Sequence, residues 1–88
     1  MANRRLNSLE YLDYREAMKQ AEYFEDEIRK VLAKKPVKIY NVYVSVGDEE
    51  EGTYFLDVEI GGSPEAYKRW YGYYTAERIY KMFNIERR

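Results

Sequence analysis

The 88-residue chain contains no cysteine and no histidine. Without cysteine there is no disulfide, no thiol chemistry and no Cys/His zinc site. Without histidine the commonest general base and the commonest transition-metal ligand are gone. Any catalysis would have to rest on carboxylates, lysine or tyrosine. No apolar run approaches the roughly 18 residues of a membrane span. The start, Met1-Ala2-Asn3-Arg4-Arg5, is charged with no apolar segment behind it. It does not read as a signal peptide, and a cytoplasmic location is the default expectation. No phosphate-cradling glycine loop, nucleophile elbow or Ser/Lys pattern is present. No catalytic set, cofactor or metal is therefore expected.

Aliphatic residues are scarce as well. Leu, Ile, Val and Phe together number nineteen of the 88 residues, close to the level at which disorder becomes plausible. The eleven tyrosines and one tryptophan lift the chain clear of that level if they are buried. A domain of this length buries only roughly 60% of its unfolded surface, which makes it marginal alone. One domain over residues 1–88 is expected, with frayed ends near 1–7 and 85–88. Association with a second copy would offset the shortage of core.

The net charge of −1 hides an uneven distribution. Residues 1–35 carry eight basic and seven acidic groups; residues 36–62 carry one and six; residues 63–88 carry six and three. An acidic middle and a basic tail can steer a charged partner or a second copy, or can simply be solvated surface.

Punctuation at Pro36, Gly47, Gly52, Gly61-Gly62 and Pro64 divides the chain into helix, strand, strand and helix. The first helix is expected from Ser8, since Asn7 and Ser8 are good N-caps and Glu10 suits the first turn. Tyr14, Ala17, Ala21, Phe24, Ile28 and Val31 recur at spacings of three and four, and Leu12, Met18 and Leu32 widen the stripe. This is a seam on the domain's own core more readily than an intermolecular coiled coil. Its polar face mixes acids with bases, unlike a membrane-surface helix. Lys34, Lys35 and Pro36 mark the stop.

Val42, Val44 and Val46 alternate with Tyr43 and Ser45. Val37 and Ile39 are out of phase with that set, so a bulge is expected near Tyr40-Asn41. In Thr53 to Ile60, residues Tyr54, Leu56, Val58 and Ile60 alternate with Phe55, Asp57 and Glu59. Pairing Val44 with Leu56 and Val42 with Val58 unites the apolar set. Asn41, Tyr43, Asp57 and Glu59 then share the opposite face.

Ser63-Pro64-Glu65 is a strong helix start, with Ser as N-cap and Pro at the first position. A helix from there to about Phe83, capped by Asn84, is expected. Its pattern is odd. Tyr67, Trp70, Tyr71 and Tyr74 crowd one side of its first half, whereas Tyr73, Ile79, Tyr80 and Phe83 take nearly the other side. Gly72 would cost about 1 kcal/mol in a helix interior. A helix apolar all round is normally buried all round, for which this chain lacks mass.

The fold class expected is therefore α+β: a two-layer α-β-β-α domain, with two helices on one face of an antiparallel hairpin. A lone hairpin is marginal and offers two open edges, so dimerisation is expected to extend the sheet or to use the second helix.

Function is expected to be non-enzymatic binding, as a self-associating or protein-binding module, in the manner of a small inhibitor or regulator. Tyr67, Arg69, Trp70, Tyr71, Tyr74 and Arg78 are the expected contact residues, because Trp, Tyr and Arg dominate interface energetics. The same aromatic and basic residues, with Lys68 and Lys81, suit a single-stranded nucleic acid, whose bases stack on rings. The chain is not basic overall, which disfavours that alternative. The loop Asp48, Glu49, Glu50 and Glu51 lacks the spaced ligands of a calcium loop. It is solvated, an electrostatic mimic that blocks a basic groove, or a weak divalent-cation site. Asp57 and Glu59 project together from one strand face, but acid–base work would need a pocket and separated pKa values.

Overall fold

The structure is a computed structural model that describes residues 2–87, with side chains from Tyr14 onward, Pro64 excepted. Helix α1 (Ala2–Ala33) leads into strands β1 (Lys38–Asp48) and β2 (Thr53–Gly61). A 3-10 turn (Pro64–Ala66), strand β3 (Lys68–Thr75) and helix α2 (Ala76–Phe83) follow. The strands form one antiparallel sheet in the order β1-β2-β3. Both helices cover the same face, since buried residues of α1 and α2 share one cluster with Val42, Val44, Leu56, Val58 and Ile60. The α+β class and the two helices are as expected. The third strand is new, and it lies inside the segment expected to be helical.

In α1 the heptad stripe does what its spacing implies from Ala17 onward. Ala21, Phe24, Ile28 and Leu32 are buried, Val31 is half-buried, and Tyr14 and Met18 stay exposed. Leu12 lies outside the described side chains. The helix begins at Ala2, not at Ser8, and ends at Ala33 as Pro36 requires. Lys34 N donates to Val31 O (3.3 Å) and Lys35 N to Leu32 O (3.1 Å), closing the last turn.

The hairpin has the expected register, with Val44 opposite Leu56 and Val42 opposite Val58. A register shift falls between Ile39 and Asn41, where the phase of the apolar residues demanded a bulge. It brings Val37 and Ile39 against the core. A second shift lies between Val46 and Asp48, before the loop. There the Asp48 carboxylate accepts from Glu50 N (2.9 Å) and Glu51 N (3.4 Å), so the acidic loop is held by its own first residue.

The helix expected from Ser63 to Phe83 is corrected to its second half. Ser63 does cap, its hydroxyl accepting from Ala66 N at 3.3 Å, but only a single 3-10 turn follows. From Lys68 the chain is extended and pairs with β2, Gly72 opposite Leu56 and Trp70 opposite Val58. Trp70, Gly72 and Tyr74 are half-buried, while Arg69, Tyr71, Tyr73 and Thr75 are exposed. That is the period of two of a strand. Aromatics on both sides disguised it, because neither side looks polar. Gly72 has φ +136°, outside the helical region and accessible to glycine at little cost.

Helix α2 restarts with Thr75 as its cap, the hydroxyl accepting from Arg78 N at 3.3 Å. Ile79 and Phe83 are buried, and Asn84 ends the helix with φ 54°, the expected cap. The tail beyond is tied down. Ile85 is buried and its N–H donates to Tyr80 O at 3.0 Å. The Tyr23 hydroxyl donates to Glu86 O at 2.7 Å, and Arg87 pairs with Glu77 at 3.0 Å.

Phe24, Ile28, Leu32, Leu56, Val58 and Ile79 are the largest fully buried side chains. Each contributes roughly 1.5–3 kcal/mol by leaving water. The Phe24 ring meets Tyr54 (5.3 Å, 83°) and Tyr80 (5.0 Å, 74°) edge-on, a favoured arrangement. Burial raises the Tyr54 phenol above its ordinary pKa, and the neighbouring Tyr80 phenol adds to the effect.

Candidate functional site: an aromatic sheet face

Alternation along three paired strands sends every second residue to the side away from the helices. The cross-strand rungs on that side read Ser45–Phe55–Tyr73, Tyr43–Asp57–Tyr71 and Asn41–Glu59–Arg69. Phe55 is the hub. Its ring lies 5.3 Å from Tyr71, 5.3 Å from Tyr73 and 6.4 Å from Tyr43, all edge-to-face. The rim of this group is open: Tyr71 is 62% exposed and Tyr73 69%. Gly47 makes room for Tyr73, since a Cβ there would stand 2.7 Å from the Tyr73 ring. Gly61 does the same for Tyr40, whose ring occupies the space a Cβ would need.

Beside the rings lies a charged cluster. Arg69 Nε donates to Asp57 Oδ1 at 3.2 Å and Arg69 Nη2 to Asp57 Oδ2 at 3.3 Å. The same Nε lies 3.5 Å from Glu59 Oε2. The guanidinium also sits 4.8 Å from the centre of the Tyr71 ring. Hydrogen bonding to Asp57 holds the guanidinium above its ordinary pKa, with the Asp57 and Glu59 charges acting the same way. Asp57 and Glu59 thus share one cation. Asn41 Nδ2 donates to Asp57 O at 3.1 Å.

The six expected contact residues do not form one surface. Arg69 and Tyr71 lie on the outer face, and Tyr67, 54% exposed, precedes β3. Trp70 and Tyr74 point to the helix side, where the Trp70 ring packs 5.0 Å from Phe83. Arg78 belongs to α2 and lies 5.4 Å from the Tyr74 ring. Tyr43, Phe55 and Tyr73 complete the outer group and were not among the expected contacts. The signal for two of them was available, because Tyr43 and Phe55 occupy the same alternation as Asp57. Asp48, Glu49, Glu50 and Glu51 are exposed at the hairpin end.

Among the described residues no group of three or more acids is placed to hold a metal ion, and no helix is long and apolar enough to cross a membrane. A shallow groove of about 500 Å³ lies on the helix side, lined in part by Glu16, Gln20, Tyr54, Tyr80 and Arg87. Asp57 and Glu59 do not line it, being on the opposite side of the sheet. No protein-family model, curated protein or solved structure significantly matches the chain.

Proposed function

We propose that the chain is a non-enzymatic protein-binding module, and that its contact surface is the outer face of the sheet. One observation carries this reading. Tyr43, Phe55, Tyr71 and Tyr73 are held edge-to-face on the sheet, yet the three tyrosines around the half-buried Phe55 remain exposed. Rings fixed in advance lose little conformational entropy on binding, and Tyr and Arg are the residue types that anchor interfaces. Arg69 supplies a polar clamp at the rim, already oriented by Asp57 and Glu59.

The charge on this face favours a protein over a phosphate backbone. Asp57 and Glu59 stand there against Arg69 and Lys38, so cations are not in surplus, and the neighbouring loop adds Asp48 and three glutamates. A nucleic-acid site gains its affinity from displaced counterions, which requires surplus cations. A small regulator or inhibitor, binding through a fixed aromatic patch, is the role this surface suits best.

The test is site-specific photo-crosslinking in the cell, with a photoreactive residue at Tyr43 or Tyr73 and a control at Glu22 on α1. Protein adducts are expected from the two sheet positions, and a Phe55→Ser change is expected to suppress them. Equal adducts from Glu22 would remove the reading. Tight binding of a fluorescent single-stranded oligonucleotide, falling steeply with salt, would transfer the face to nucleic acid.

A further inference from the structure

The two edges of the sheet are finished differently. At β1, Arg29 Nη2 of α1 donates to Val42 O (2.9 Å), and Val44 N donates to Glu25 Oε2 (3.1 Å). Glu25 and Arg29 also pair with each other at 3.5 Å. One helix turn thus occupies backbone groups that would otherwise be open. At β3 the situation follows from the hydrogen-bond alternation of antiparallel strands, in which the N–H and C=O of a residue point to the same edge. Val42 and Val44 face α1, so Tyr43 and Ser45 bond to Asp57 and Phe55. Leu56, Val58 and Ile60 then face β3 and bond to Gly72, Trp70 and Lys68. Arg69, Tyr71 and Tyr73 are left with their N–H and C=O groups pointing away from the sheet. Among the described residues no hydrogen bond reaches those groups.

We infer that this edge pairs with the β3 edge of a second copy, antiparallel, about a two-fold axis at Tyr71. A two-fold axis normal to the sheet must bring outer residues opposite outer residues, which leaves few registers. Thr75 narrows them, because it caps α2 and its carbonyl is taken by the first helical turn. The open run is Arg69, Tyr71 and Tyr73. Only the register centred on Tyr71 matches that run to itself, with Arg69 opposite Tyr73 of the second copy.

Side chains agree with this register. No cation faces a cation: Arg69 meets a tyrosine ring, a favourable pairing, and Lys68 falls opposite Tyr74. On the helix side Trp70 falls opposite Gly72 of the second copy. Gly72 has no side chain, and nothing lies within 4 Å of where its Cβ would stand. An aromatic ring across from a strand glycine covers backbone that would otherwise be bare. The joined sheet has six strands, and its Tyr71 and Tyr73 residues form one continuous stripe. The inference stands on edge geometry and does not depend on what the outer face binds.

The test is light scattering from micromolar to millimolar protein, read as a rise toward twice the 10.7 kDa of one chain. Proline at an outward-facing edge position removes a donor without breaking a bond to the neighbouring strand. Tyr71→Pro is therefore expected to keep its fold by circular dichroism and to dissociate. Tyr71→Ala loses the ring and keeps the N–H, so the further loss on going to proline isolates the backbone and is expected to be about tenfold. Should proline unfold the chain, Tyr71→Cys supplies a lone thiol expected to cross-link two copies under mild oxidation, with Glu22→Cys remaining monomeric. A monomer at every concentration overturns the inference and leaves the outer face untouched. So does a dimer that survives Tyr71→Pro but dissociates on Phe55→Ser, which would make the outer face the self-contact.

Discussion

Leu56 and Phe55 are neighbours in β2 with opposite circumstances. Leu56 is sealed under the helices with Val58, Ile28 and Ile79, whereas Phe55 sits among three tyrosines on the open side. The same contrast divides Trp70 from Tyr71 in β3. A single step along a strand separates a residue that holds the fold from one available to a partner. The lesson is that aromatic content does not sort these roles in this chain. Side of the sheet does, and both sides are aromatic.

That contrast can be broken by substitution. Leu56→Ala is expected to cost about 2–5 kcal/mol of stability, as buried leucines do, and chemical denaturation measures it. Trp70→Ala is expected to cost about 2 kcal/mol, less than a fully buried aromatic because Trp70 is half-buried beside Phe83. If Trp70→Ala instead left stability intact and abolished the partner adducts formed from Tyr43 and Tyr73, the assignment of the two sides would be reversed. Gly72→Ala is expected to cost about 1–3 kcal/mol through its positive φ alone, since the site has room for a methyl group. Tyr73→Ser is expected to move stability by about 0.5 kcal/mol or less, while weakening partner binding in a direct titration.

The smallest effect expected is on pH dependence. Burial raises the Tyr54 pKa in the folded state above the ordinary 10.0. The folded chain then holds this proton to higher pH than the unfolded chain does. Its contribution is complete below the unfolded-state pKa and is lost as pH rises through the folded-state value. Tyr54→Phe is expected to flatten the alkaline decline of the denaturation midpoint. An unchanged slope would show that Tyr54 titrates alike in both states.

Much of this fold was legible. The α1 stripe, the stop at Pro36, the hairpin register and the bulge near Tyr40 all follow from apolar spacing, because burial enforces one phase on each element. Strand β3 was not legible, for an identifiable reason. Ser63-Pro64-Glu65 is a good helix start and the turn it begins is real, but nothing in those residues fixes how far a helix runs. The following alternation carried no polar contrast to reveal its period. The candidate site was half legible: Arg69 and Tyr71 were chosen with Trp70 and Tyr74, which a strand sends to the other side.

The amino-acid sequence by itself determined which chemistries are closed, which residues form the core of α1, β1 and β2, and that more aromatic surface exists than one small core can absorb. Those properties depend on composition and on neighbours a few positions apart. Only the tertiary structure decided that Lys68–Thr75 is a strand, because its hydrogen bonds are made to β2, several residues back in the chain. It also decided which rings are left outside, since that requires knowing which side of the sheet the helices cover. The capping of β1 by Glu25 and Arg29, and hence the open edge at β3, belongs to the same class, for the contacts join residues more than ten positions apart.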